Sequence, residues 1–330
     1  MLTDIVNTFK EQYVSTAVYD DEGNMAETMK RSMPIFVNYG VNRAVIDADF
    51  GTDNEIINQL DAFNNAIENR IDFKSFFKWF RREEDLENET IAALHRAGIK
   101  NENAEMPTLT AVRKAMLAMF PEFTGVRIDR VNDTLLIEKD GESLNISQLS
   151  DGEKCTIALF GDIARRMSIA NDGVLLNPNM GEGIVLIDEV DLHLHPGWQR
   201  KVVGMLHDTF PNVQFILTTH SPQVLGEAGD DFEVYSLRRG DQGQIEAICG
   251  SYFGWDSNII LEEGMDTGRM SHIVMEHIEN MYEAYEKGDL QSAEREADEI
   301  DELTMGHNDC VAGMRVMIGR KRRRKMNAAN

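Results

Sequence analysis

Long apolar runs, paired cysteines and a positive overall charge are all missing from this chain of 330 residues, and each absence removes a class of protein. No stretch approaches the ~18 consecutive apolar residues of a membrane-crossing helix. The opening, MLTDIVNTFKEQYV, carries Asp4 early and has neither a basic start nor an apolar segment, so it does not read as a secretory leader. The three cysteines, Cys155, Cys249 and Cys310, lie far apart and form no metal-ligand spacing. An odd, scattered set suits free thiols in a reducing cytoplasm. A formal net charge of -24 argues against a chain that coats nucleic acid with its whole surface. It leaves room for a local basic site at Gly319–Lys325, GRKRRRK. No fixed-period repeat and no low-complexity tract is present. What remains, 42% hydrophobic and 27% charged, is the composition of a soluble intracellular protein with roughly two domains' worth of chain.

The hydrophobic rhythm divides the chain into four parts. In residues 1–52, Leu2, Ile5, Val6, Phe9 and Tyr13 predict an amphipathic helix, and PIFVNYG, 34–40, predicts a buried strand. Arg43, just beyond, has two readings: it faces a phosphate or it pairs with an acid at the core edge. Residues 53–120 read as a helical arm with two stripes, Ile56, Ile57, Leu60, Phe63 and Ile67, then Phe73, Phe76, Phe77 and Phe80. The aromatic stripe suits a helix–helix core better than a nucleic-acid platform. Residues 121–255 open with alternating strands around an Asp140-Gly141 hairpin turn. They continue as βα alternation to about 219 and end in an antiparallel pair, FEVYSL and QIEAIC. Residues 256–330 turn helical and acidic, with eleven Asp or Glu against two Lys or Arg between 276 and 302. There Gly288 ends one helix and Asp289 caps the next. A basic tail follows.

Three segments carry chemistry. LSDGEK, 149–154, holds an S-x-x-E capping box, Ser150 to Glu153, at the start of a helix. The same hydroxyl, the side-chain-free Gly152 amide and the positive helix end also make a phosphate-binding surface. In IVLIDEVDLHLHP, an apolar strand runs into Asp188 and Glu189. Such buried-strand acids are costly without a cationic partner, which suits Mg²⁺-assisted phosphoryl chemistry. In QFILTTHSP, 214–222, a second apolar strand ends in Thr218, Thr219 and His220. Both strands would present their C-terminal ends, where ligands sit in open α/β sheets. His193 and His195 sit two apart, but Pro196 and the helix after it make a packed corner the better reading than a metal site.

In this order the three segments resemble the ATPase heads of the ABC class: LSDGE its signature motif, IVLIDE its Walker B strand, DLHLHP its D-loop and His220 its switch histidine. Within that class, residues 183–222 resemble the RecF/SMC-like (AAA_21-type) ATPases of bacterial anti-phage defence. The tail EKGDLQSAEREADEID extends the likeness to the PtuA-type ATPases of Septu and retron systems. The resemblance is strong over about 120–255 and weaker over 34–120 and 256–320. It implies an α/β fold of the P-loop NTPase type, a lobe with its sheet flanked by helices, with a helical arm and a C-terminal helical extension. It further implies ATP and Mg²⁺ sandwiched in a head-to-tail homodimer or higher oligomer in the cytoplasm. Asp188 would hold the metal, with Glu189 and His220 catalytic on the chain's own nucleotide. Ser150, Gly152 and Glu153 would serve the nucleotide of the opposing subunit, and Asp191 would lie at the seam. An HNH nuclease, and in retron versions a reverse transcriptase with msDNA, are the implied partners. The run Arg320–Lys325 offers a nucleic-acid contact or simply a disordered end.

One expected part is missing. The phosphate loop G-x-x-x-x-G-K-[ST] does not occur; Lys154, the nearest lysine to a motif glycine, is followed by Cys155. The sequence therefore reads as beginning after the loop, or as relying on another polypeptide for it, or as a head that has lost turnover. Three other functions stay open: a nucleotide-responsive scaffold that does not hydrolyse, a DNA-repair head of the same class, and a metal-dependent nuclease built from Asp188, Glu189, Asp191, His193 and His195.

Overall fold

A computed structural model describes residues 16–19, 25–29, 32–41, 58–99, 105–240, 243–268 and 270–329. The helix expected at Leu2–Tyr13, and Arg43, lie outside the described residues. Two compact units are present: Met1–Val234 with Ser251–Gly254, and Tyr235–Gly250 with Trp255–Asn330.

In the first unit, β1 (Thr16–Tyr19) and β2 (Met25–Met29) form an antiparallel hairpin, and β3 (Ile35–Tyr39) follows. The strands β4 (Phe123–Asp129), β5 (Thr134–Lys139) and β6 (Glu142–Asn145) make an antiparallel meander. Its second turn is the expected Asp140-Gly141, with φ of 51° and 83°. Both values are left-handed, the pair a two-residue hairpin of this hand requires. The apolar runs at 183–187 and 213–217 become β7 (Gly183–Ile187) and β8 (Val213–Leu217). Together with β3 they form a parallel sheet in the order β3-β7-β8, with Tyr39, Ile187 and Leu217 in register at one end. One face of this sheet buries Ile35, Val37, Tyr39, Val185 and Ile187; on the other, Phe36 and Ile216 remain about half exposed, at 47% and 51%.

Four helices share the core with that face: α1 (Phe73–Arg96), α2 (Pro107–Leu117), α3 (Asp151–Ala170) and α4 (Pro196–Thr209). All of α3 except Asp151 and Lys154 is buried, so it is enclosed on every side rather than laid on the surface. The aromatic stripe of α1 joins the same core: Phe76, Phe77 and Phe80 are fully buried, and the Phe73 and Phe76 rings stack 5.7 Å apart. It is packing, not a nucleic-acid platform.

The earlier stripe departs from expectation. Among the described residues, only Gln59–Phe63 form a short 3₁₀ turn, capped by Asn58. Asn65 and Asn69 then adopt left-handed φ of 55° and 60°, and Ile67 is 70% exposed. Asparagine tolerates this region because its short amide bonds locally, and a helix cannot run through it. Ile56 and Ile57 lie outside the described residues; of the rest of the expected stripe, Phe63 packs against the core while Leu60 and Ile67 are exposed, so the helical arm does not extend over this segment.

In the second unit, β9 (Val234–Arg239) and β10 (Ile245–Gly250) pair antiparallel, as expected. After short helical turns at Ser257–Ile259 and Ile260–Gly264 come three longer helices, α5 (His272–Lys287), α6 (Leu290–Thr304) and α7 (Asp309–Ala329). Gly288 ends α5 at φ 83°, and the Asp289 carboxylate accepts the Ser292 N–H to start α6. Their shared core holds Ile278, Met281, Ala293, Ala297, Ile300, Val311, Met314 and Ile318. No helix among the described residues is long and apolar enough to cross a membrane.

Candidate functional site

The parallel register carries β7 and β8 to a common end, and the chemistry-bearing residues follow immediately on both. The Asp188 N–H donates to the Tyr39 carbonyl at 2.8 Å, and the Thr218 N–H donates to the Ile187 carbonyl at 3.0 Å. The ladder therefore continues one step past each strand. It fixes the first acid and the first threonine side by side.

Thr218 then acts as a clasp. Its hydroxyl donates to Asp188 Oδ1 and accepts the Glu189 N–H at 2.8 Å, while its carbonyl accepts the Val190 N–H at 3.0 Å. One side chain thereby orients the Asp188 carboxylate and holds Glu189 at φ 47°, a backbone region that costs a non-glycine residue about 1 kcal/mol or more. Thr219 repeats the device one residue on. Its hydroxyl donates to Asp191 and accepts the Ser221 N–H at 3.0 Å. Buried Ser221 lies 2.8 Å from Gln199 Oε1, and Gln199 Nε2 donates to the Leu194 carbonyl at 2.9 Å. The turn from Asp191 to Leu194 is thus held from β8 and from α4 together. Asp188 and His220 are exposed there, and Glu189 is half-buried.

The start of α3 is the capping box expected from the sequence. Ser150 N–H and Oγ both donate to Glu153 Oε2, at 2.8 and 2.7 Å, and the Glu153 N–H returns to Ser150 Oγ at 3.3 Å. Lys139, at the end of β5, donates to the other Glu153 oxygen at 2.8 Å. Burial pushes the Glu153 carboxyl up, but Lys139 and Ser150 outweigh it and hold the group below its usual value. Glu153 is therefore turned inward, and its contacts position Ser150. Gly152 is also buried, and a Cβ there would stand 2.5 Å from the His193 carbonyl oxygen. The beginning of α3 lies directly against the turn that follows the two acids.

A second link joins α3 to the same strand ends. Asp162, fully buried, accepts hydrogen bonds from the Tyr39 hydroxyl (2.8 Å), from Arg165 (2.7 and 3.0 Å) and from Arg166 (2.8 Å). Burial opposes the charged carboxylate, yet the two guanidinium groups hold Asp162 far below the usual carboxylate range. Tyr39 is pushed well above the phenol range by burial and by the Asp162 charge.

Asp188, exposed and oriented by Thr218, fits a divalent cation that shares its shell with phosphate oxygens. Among the described residues no group of three or more His, Cys, Asp or Glu side chains could hold a metal without such a ligand. His195 caps α4 by accepting the Gly197 N–H at 3.2 Å and meets the Trp198 ring edge-on, the packed corner expected of it. Both points weigh against a nuclease metal centre here. A cradle for β- and γ-phosphates does not fit, because no residues of the required loop pattern are present in the sequence.

The model of one protein family matches residues 35–226: "AAA domain, putative AbiEii toxin, Type IV TA system". The chain belongs to that AAA domain family. The match begins with β3 and includes every residue placed above. Among curated relatives, the "Retron Ec83 probable ATPase" of Escherichia coli is 32% identical over 278 residues, covering 68% of this chain and 51% of its own length. The "Septu protein PtuA" of Bacillus thuringiensis is 30% identical over 193 residues, covering 51% of this chain and 46% of its own. The chain thus spans about half the length of the curated relatives it matches. A solved structure, the "SMC head domain from Thermotoga maritima", is 22% identical with a TM-score of 0.34, covering 45% of this chain and 49% of that one. The expected α/β class and the likeness to retron and Septu ATPases are both as found.

The threonine clasp, Gln199, Lys139 and the Asp162 cluster carry no motif of their own. The doubled threonine before His220 was the one available signal, since two hydroxyls at a strand end are well placed to bond neighbouring acids.

Proposed function

We propose that this AAA domain chain is the signature- and acid-bearing lobe of an ATPase of anti-phage defence, working as a head-to-tail pair that gates a partner nuclease. The observation that carries it is the common end of β7 and β8, where one Thr218 hydroxyl orients both Asp188 and Glu189. The burial expected of these acids from the sequence is not found, because both follow the strand end; Asp188 is exposed and Glu189 half-buried, which leaves the oriented pair open to a cation and to water. A Mg²⁺ ion bound there would supply charge neutralisation at phosphate oxygens. Asp188 would hold it, Glu189 would orient the attacking water, and exposed His220 would serve the terminal phosphate. Ser150, fixed by Glu153, and the first turn of α3 serve the opposing subunit's nucleotide, with Asp191 at the seam. The relatives' names support the defence role. By the same likeness an HNH nuclease, and in retron systems a reverse transcriptase with msDNA, are the proposed partners. Turnover needs a phosphate loop from outside these 330 residues.

The test is binding of ATP with Mg²⁺ to the purified chain and its Glu189→Gln and Asp188→Asn variants, with mass measured alongside. Weak binding and a nucleotide-dependent dimer, alike in wild type and Glu189→Gln, and loss of both in Asp188→Asn are expected of the chain alone. No binding and no dimer with nucleotide in large excess would overturn the proposal. The missing loop favours a second reading, a scaffold that binds without hydrolysing. With a polypeptide carrying the phosphate loop added, a dimer that accumulates in Glu189→Gln over wild type would select the ATPase, and one equally populated in both would select the scaffold.

A further inference from the structure

The basic residues of α7 divide into two sets by what they touch. Arg315 donates to Asp298 and Asp301, both at 2.7 Å, and Arg322 pairs with Glu294. Lys321 donates to the Tyr285 carbonyl at 2.7 Å and lies over that ring at 4.3 Å. These three, with buried Val311, Met314 and Ile318, pin α7 to the acidic pair of helices α5 and α6. Arg320, Arg323 and Arg324 are exposed, and none has an ion pair or hydrogen bond among the described residues.

Their positions, i, i+3 and i+4, put them on one face of the helix, where like charges repel. In a chain of net charge -24, with carboxylates abundant on the adjoining helices, three arginines without an acid are a local excess rather than an average. The rise from Arg320 to Arg324 is about 6 Å, so the face presents its planar donor forks closely enough to meet successive phosphates of one strand. We propose that this face docks the sugar–phosphate backbone of a nucleic acid strand. The acidic helices beside it repel the strand elsewhere and so confine the contact to α7. A membrane surface is disfavoured, because the apolar side of α7 is already used in the core with α5 and α6 and is not available to insert among lipids. The contact involves none of the residues at Asp188 and stands or falls independently of nucleotide binding.

The test is fluorescence anisotropy of a labelled single-stranded oligonucleotide against the full chain, from about 50 to about 200 mM salt. Three phosphate contacts predict a slope of log affinity on log salt near about -2, from ~0.7 counterions released per contact. Replacing all three by glutamine (Arg320→Gln, Arg323→Gln, Arg324→Gln) should weaken binding by about tenfold or more and flatten the slope. Glutamine keeps helix propensity, so circular dichroism and the melting curve should be unchanged. Absence of binding by the wild type, equal binding by the triple variant, or preferential binding of poly-glutamate or of phosphatidylserine vesicles would each overturn the proposal.

Discussion

Replacing Gly152 by alanine tests whether α3 and the turn after the acids are in hard contact. The added Cβ would lie 2.5 Å from the His193 carbonyl oxygen, 3.4 Å from its carbon and 3.5 Å from the Trp198 ring. The first distance falls almost 1 Å inside an ordinary contact, and it is made to backbone, which has no rotamer to change. His193 itself is held at φ 63°, and the Leu194 N–H next to it donates to the Asp191 carbonyl at 3.1 Å. Overpacking of this kind costs about 1–3 kcal/mol. Alanine's higher helix propensity returns at most about 1 kcal/mol, and less in a first turn. The variant should therefore lose about 1–2 kcal/mol, roughly 2–8 °C in melting temperature for a unit of this size. Urea denaturation and thermal melting followed by circular dichroism measure it. A variant as stable as wild type, or more so, would show that propensity wins and that Gly152 is not there to admit His193.

Two further outcomes rest on side-chain geometry. Thr218→Val keeps shape but removes the hydroxyl between Asp188 and Glu189, and should weaken Mn²⁺ binding in the presence of ATP by about tenfold or more, as loss of a ligand's orienting partner does elsewhere. Thr218→Ser should restore it; equal affinities in all three proteins would remove the clasp from the site's function. Asp162→Asn leaves two buried guanidinium groups without their anion and should cost about 3–5 kcal/mol in urea denaturation at neutral pH. Because the folded Asp162 pKa lies below the unfolded one, its stabilisation is complete above the unfolded value of about 3.9 and is lost as the pH falls through the folded value. The gap between wild type and variant should accordingly be widest at neutral pH and narrow only in strong acid.

What could be read from the sequence was whatever local pattern determines. Apolar runs ending in Asp188-Glu189 and in Thr218-Thr219-His220 became parallel neighbours in register. Asp140-Gly141, the Ser150 capping box and the Gly288-Asp289 break each formed as expected, because backbone sign and capping chemistry act within four residues. Long-range partners were not legible. Asp162, Arg165 and Arg166 have the i, i+3 and i, i+4 spacing of an ordinary surface ion pair, and only enclosure of α3 makes them a buried cluster. Gly152 fits a helix start in any protein; its contact with His193 is a property of two segments some 40 residues apart. The stripe over Leu60–Ile67 shows the converse: its spacing suits one helix face, but Asn65 and Asn69 turn the backbone away and Leu60 and Ile67 are left exposed.

These long-range contacts change what α3 does. It meets the end of β7 twice, through Gly152 against His193 and through Asp162, whose partner Tyr39 accepts the Asp188 N–H on its carbonyl. The first contact is steric and the second is a buried charge cluster, so neither yields gradually to a small displacement. In the proposed head-to-tail pair, the start of α3 would answer to the opposing subunit's nucleotide while Asp188 and Glu189 would answer to their own. A rotation of α3 toward the opposing phosphate would have to carry the His193 turn with it, and through Asp191 and Thr219 the residue before His220. Coupling between the two sites would then need no separate relay. It would follow from the contact, within a single chain, between the start of α3 at Gly152 and the turn at His193.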